Sequence, residues 1–152
     1  MQKLNLPKVS ERIRGITLPV DDIMHIADYD EVYRIDLTGE NEVQILEDDP
    51  YEFVEAQKHI LGVSGHTPIL KKNGNSISYR FWPPAPHGTI KYKMNNLLGR
   101  NKNFVRVSYQ ISNKQDVINF RTFSGDWFAA SFSECGNYFV LAEPYSFDVY
   151  KI

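Results

Sequence analysis

From Phe104 to Ile152 the chain runs in short bursts of β-branched and aromatic residues, FVRVSYQIS, DVINFRTF, WFAASFS, YFVLA and FDVYKI. NKQ, SGD, ECGN and EPYS separate them, so the pattern predicts five consecutive antiparallel strands joined by short turns. In the first burst Val105, Val107, Tyr109 and Ile111 share one face and Arg106, Ser108 and Gln110 the other. Trp127–Phe132 and Tyr138–Ala142 carry almost no charge, which predicts strands covered on both faces. The rest of the chain must supply that cover.

Upstream, the stretch to Gly15 reads as an arm or a short helix limited by Pro7, and Ile23–Ala27 as a short strand. EVYRIDL and VQILE predict a hairpin turned by Thr38-Gly39, with Tyr33, Ile35 and Leu37 on one face opposed by Val43 and Ile45. A helix is predicted over 50–61. Asp49 caps it, Pro50 takes the first position, Glu52 completes a capping box, and Gly62 ends it. Phe53, Ala56, Ile60 and Leu61 form its apolar stripe, the natural cover for the sheet. Asn73-Gly74 marks the tip of a second hairpin, GTIKYKM is a further strand, and NNLLGRNKN is a polar loop. No repeat has a fixed period. The fold class expected is α+β, one domain over residues 1–152. It comprises mostly antiparallel sheet, hairpins plus a C-terminal meander, with one helix packed on it.

Length and composition change this picture little. A chain of 152 residues with 42% hydrophobic and 24% charged residues suits a soluble globular domain. The first residues lack the apolar core of a secretory signal and no run reaches transmembrane length. Cys135 is the single cysteine, so an internal disulfide and a thiolate metal site are both excluded. A cytoplasmic, soluble protein is expected.

Charge changes the picture more. Residues 21–55 hold thirteen carboxylates against Arg34 alone, whereas residues 56–121 hold eleven cations against Asp116 alone. The net charge is nonetheless only −2. Either the two segments lie side by side and neutralise each other, or one of them faces outward as a docking surface.

Motifs for catalysis are sparse. Glu55 and His59 have the i,i+4 helical spacing of metal ligands, but two ligands make no site, and no metal or cofactor is expected. Calcium-loop, HExxH, GxSxG, P-loop and dinucleotide patterns are missing. His66 and His87 in loops, with Asp126 as partner, are the least implausible acid–base groups. Cys135 beside Glu134 is a poor nucleophile, because a neighbouring carboxylate disfavours the thiolate. A small hydrolase-like enzyme therefore ranks third.

Two binding readings stand ahead of it. In the first, the acidic stretch docks a basic protein through Asp28, Tyr29, Asp30, Glu31, Tyr33, Glu47, Asp48, Asp49, Tyr51, Glu52 and Glu55. Carboxylates there supply steering and tyrosines supply anchors. A small acidic chain without a catalytic set resembles, in profile alone, the immunity proteins that neutralise bacterial toxins. That resemblance implies a non-catalytic inhibitor whose partner is a basic toxin nuclease. In the second reading, Arg80, Trp82, Lys91, Lys93, Arg100 and Arg106 interleave cations with rings, as in binders of nucleic acid or other polyanions. A sequence pI near 6.1 argues against it.

Overall fold

The computed structural model describes residues 1–9, 11–63, 66–82, 104–124 and 126–152. In chain order its strands begin with β1 (Gln2–Lys3), β2 (Gly15–Thr17), β3 (Ile23–Ala27), β4 (Val32–Asp36) and β5 (Val43–Leu46). The helix α1 (Pro50–Ala56) follows, then β6 (Ile60–Leu61), β7 (Lys71–Lys72) and β8 (Asn75–Trp82). The remaining strands are β9 (Phe104–Ile111), β10 (Lys114–Arg121), β11 (Ala129–Phe132), β12 (Tyr138–Glu143) and β13 (Ser146–Lys151). All pairings are antiparallel. The protein is thus mostly antiparallel sheet with one helix among the described residues.

Three sheets form. The five-stranded sheet has the order β5-β4-β3-β2-β6, the central sheet β1-β13-β12-β11, and the hairpin sheet β10-β9-β8-β7. Side-chain alternation along β12 explains how they stack. Tyr138, Val140 and Ala142 pack with Ile16, Met24, Ile26 and Ile35 of the five-stranded sheet. Phe139 and Leu141 point the other way and pack with Ile77, Val105, Val107 and Phe120 of the hairpin sheet. All six residues of β12 are buried, as the absence of charge predicts for Tyr138–Ala142 but not for Glu143. Each fully buried large apolar side chain contributes about 1.5–3 kcal/mol.

The terminal run forms strands as expected but is not one meander. β9 and β10 belong to the hairpin sheet, and β11–β13 to the central one. The switch is held by Glu143, a fully buried carboxylate that accepts from the Phe123 and Ser124 amides (3.2 Å each). The Tyr145 amide (3.3 Å) and the Ser146 hydroxyl (3.2 Å) also donate to it. One side chain therefore ties the inter-sheet connection to the β12–β13 turn. The β9–β10 turn is Ser112-Asn113, both with positive φ, so Lys114 and Gln115 start a strand instead of belonging to the turn.

The helix also departs from expectation. Asp49 caps it as predicted, its Oδ1 accepting from the Tyr51 and Glu52 amides at 2.9 and 3.0 Å. It ends at Ala56, not at 61, because Gln57 turns extended and Ile60–Leu61 pair with Thr17 and Ile16 of β2. The buried stripe is accordingly Pro50 and Val54, while Ala56 is exposed. Val54 packs with Ala27, Val32 and Ile60, so α1 covers the outer face of the five-stranded sheet and not the C-terminal strands. Gly62 does not end the helix. It sits at φ +87°, where a Cβ would come within 2.7 Å of the Trp127 ring. The hairpin at Asn73-Gly74 forms as predicted, both residues having positive φ. The GTIKYKM strand and the NNLLGRNKN loop fall outside the described residues.

Candidate functional site: the acidic end of the five-stranded sheet

Strand register divides the acidic segment between two ends of the sheet. Ala27 pairs with Val32 and Val32 with Leu46, so the turn at 28–31 and the loop at 47–49 leave the sheet at the same end. Asp21, Asp22 and Asp36 lie at the opposite end, where Ile23 pairs with Asp36. Only the first group, with α1 beside it, coincides with the predicted docking residues.

Within that group the carboxylates have different duties. Asp28 builds its own turn, accepting from the Asp30 and Glu31 amides at 2.8 and 2.7 Å. The Tyr33 hydroxyl donates to Glu31 (2.7 Å) and to Asp28 (3.4 Å), and its ring packs on the main core. Burial, with those carboxylates, pushes the Tyr33 hydroxyl above the usual tyrosine range, so it remains a donor. Tyr33, Asp28 and Glu31 thus form a structural cluster, and Asp49 is committed to the helix cap. Asp30, Glu47, Asp48, Glu52 and Glu55 are exposed, and no hydrogen bond or ion pair among the described residues occupies their carboxylates.

The two exposed tyrosines of this group, Tyr29 and Tyr51, meet cations from the N-terminal segment, a contact with no signal in the residue pattern. The Arg14 guanidinium lies 3.7 Å from the Tyr51 ring centroid, and that of Arg12 lies 5.6 Å from Tyr29. Backbone pairing explains this placement. The Arg14 amide donates to the Ala27 carbonyl (2.8 Å), extending β2 towards the acidic end. Behind the helix, His25 sits 5.3 Å from the Phe53 ring. Burial, then Arg34, hold its pKa below the usual histidine value, with Asp48 opposing.

The edge of this sheet adds an apolar strip. Val43 and Ile45 share the face of Tyr33 and Ile35 as predicted, but they overhang the core and are exposed, Ile45 by 57%.

The predicted basic surface lies on the other side of the central sheet. Arg80 and Arg106 are register partners on the outer face of the hairpin sheet, opposite to Ile77 and Val107. Ser78, Ser108 and Val117 form the adjacent row across the strands. This row of short side chains is shared by two adjoining cavities of about 510 and 360 Å³. Together they form a trough with Arg80 and Arg106 along one side and Gln110 and Gln115 along the other. Trp82 occupies the next register row, opposite Phe104. Lys91, Lys93 and Arg100 fall outside the described residues.

The two described acid–base candidates, Asp126 and His66, contact other groups. Asp126 is paired with Arg12 (3.6 Å), and the His66 ring meets the Lys58 carbonyl (3.3 Å). His87 lies outside the described residues. His59 is beyond the helix end, so its spacing from Glu55 is not helical, and its ring faces Glu134 at 3.7 Å. Cys135 is exposed at the β11–β12 turn, its Sγ 3.3 Å from the Ser133 hydroxyl. Among the described residues no three His, Cys, Asp or Glu side chains could hold a metal ion. No described helix is long and apolar enough to cross a membrane. No protein-family model, curated protein or solved structure matches the chain.

Proposed function

We propose that the protein is a non-catalytic binding module that docks a basic protein through the acidic end of its five-stranded sheet. The observation that carries this reading is the gathering of five uncommitted carboxylates, Asp30, Glu47, Asp48, Glu52 and Glu55, around exposed Tyr29 and Tyr51. Such a surface steers a cationic partner and offers aromatic anchors once it arrives. An immunity-type role, with a basic toxin nuclease as partner, is the version to test first. A reducing cytoplasm suits a chain whose one thiol is exposed.

The test is capture by the tagged protein from its native cells, with mass spectrometry and a nucleic-acid assay of the eluate. The control is the triple variant Asp30→Lys, Glu47→Lys, Asp48→Lys. Asp49 is left intact because its reversal would remove the helix cap. A stoichiometric basic protein should appear with the wild type and vanish with the variant, whose circular dichroism stays unchanged. Capture that survives the three reversals overturns the reading.

A polyanion-binding role is supported separately by the trough on the hairpin sheet. Short hydroxyl side chains on its floor and guanidinium and amide groups along its sides belong to the set that contacts phosphates. If it holds single-stranded nucleic acid, Arg80→Ala with Arg106→Ala should lower the slope of log K against log salt by about 1.4. An unchanged slope removes this role.

A further inference from the structure

We propose that the open edge of β5 is the docking element itself, and that it accepts an extended, cationic strand of the partner by β-augmentation. This docking mode presupposes the acidic-end reading above and specifies which part of the partner is recognised.

Backbone geometry supports it first. The Asp36 amide donates to the Glu42 carbonyl at 3.0 Å, and Arg34 pairs with Gln44. Hydrogen-bonded and non-bonded pairs alternate along an antiparallel ladder, so 42, 44 and 46 bond to β4 while Val43 and Ile45 turn their N–H and C=O groups outward. No other described strand pairs with that side. An extended peptide placed there completes the ladder as a sixth strand.

Side chains support it next. Proteins blunt exposed edges with charges, and the eight-residue edge strand β10 carries Lys114, Asp116 and Arg121. β5 reads VQIL, with no charge inside it and with Val43 and Ile45 exposed on one face. Its flanks are the reverse, Glu40 and Glu42 before it and Glu47 and Asp48 after it, all exposed. The complementary strand therefore carries apolar residues at alternate central positions and Lys or Arg at both ends.

A second copy of this chain fits poorly. Symmetric antiparallel pairing centred on Gln44 sets Glu40 opposite Asp48 of the second copy at both ends, and like charges directly opposite repel. A cationic strand turns the same four carboxylates into attraction.

The probe is a synthetic cationic peptide of about six strand residues with Lys at its ends and Val at alternate positions. Its first control has the same charge but alternating proline, and its second is N-methylated on the amides that would face β5. Binding is followed by fluorescence anisotropy and by amide exchange at Val43 and Ile45. The extended peptide should bind and protect both amides, and the two controls should bind about tenfold or more weakly. Ile45→Pro removes an outward N–H together with an exposed apolar side chain, and should give at least the same loss with the β4–β5 ladder intact. The peptide controls need no mutant to fold.

Equal binding of all three peptides without protection of Val43 and Ile45 overturns edge pairing. In that event loss of binding in Glu47→Lys with Asp48→Lys would still uphold the acidic-end reading, and survival of binding would sink both. Failure of the extended peptide to bind overturns edge pairing alone. Sedimentation of the protein by itself should show a monomer, and a dimer abolished by Ile45→Pro would assign the edge to a second copy.

Discussion

Strands β12 and β5 look alike in isolation and end in opposite circumstances. YFVLAE and VQIL are both short, apolar runs without a cation. β12 lies in the middle of the middle sheet, with the five-stranded sheet on one face and the hairpin sheet on the other. β5 is the last strand of its own sheet and reaches past the layer that covers β2, β3 and β4. Local sequence sets the conformation of both, whereas position in the stack decides whether the apolar surface becomes stability or remains accessible to a partner.

Truncation in the two strands should separate these roles. Leu141→Ala, wholly buried between sheets, should cost about 2–5 kcal/mol in chemical denaturation. Ile45→Ala should stay within about 0.5 kcal/mol. Equal losses at both positions would mean that the edge is part of the core and would break the contrast.

Glu143→Gln comes next. Its four donors meet a carboxylate in the native protein, and an amide would turn its own N–H₂ towards some of them. A loss of about 1–3 kcal/mol is expected. The β11–β13 amides should exchange faster while β5 exchange is unaltered.

Asp49→Ala removes the cap of α1 and should cost about 1 kcal/mol in thermal unfolding. The signal of the five-stranded sheet should weaken before that of the central one. Had α1 covered the C-terminal strands, both would weaken together.

The smallest effect belongs to pH. The pKa of His25 is depressed on folding, so the folded state favours neutral imidazole. Its contribution is complete above the unfolded value of 6.5 and is lost as pH falls through the depressed folded value. His25→Gln should flatten the slope of stability against pH in that acidic window, and an unchanged slope would show that the ring titrates alike in both states.

What was legible in the sequence is what depends on near neighbours. The Asn73-Gly74 turn, the Asp49-Pro50 helix start, strand Ile23–Ala27 and the covered state of β12 all follow from a few adjacent residues. The helix end was not legible, because Ile60 and Leu61 take their conformation from Thr17 and Ile16, more than forty residues away. The sheet switch after β10 likewise depends on Glu143 reaching back to Phe123 and Ser124. At the candidate site the charge was plain, but its division between two ends of a sheet was not. Neither was the role of Tyr33, which the docking reading treats as an anchor and the fold uses as a half-buried donor. Side-by-side neutralisation of the acidic and basic segments does not describe Arg80 and Arg106, which lie across the central sheet. The cations against Tyr29 and Tyr51 are instead Arg12 and Arg14.

Three of the four strands of the central layer are also the last described strands to be synthesised. β2–β6 and β7–β10 precede β11–β13 in the chain, yet each of the two outer sheets packs an apolar face against these last strands. During translation two half-covered sheets must wait for a shared partner, and closure then requires contacts distant in sequence. Docking of the last three strands is accordingly the step expected to limit folding, and the chain before it is the form expected to be most exposed to aggregation.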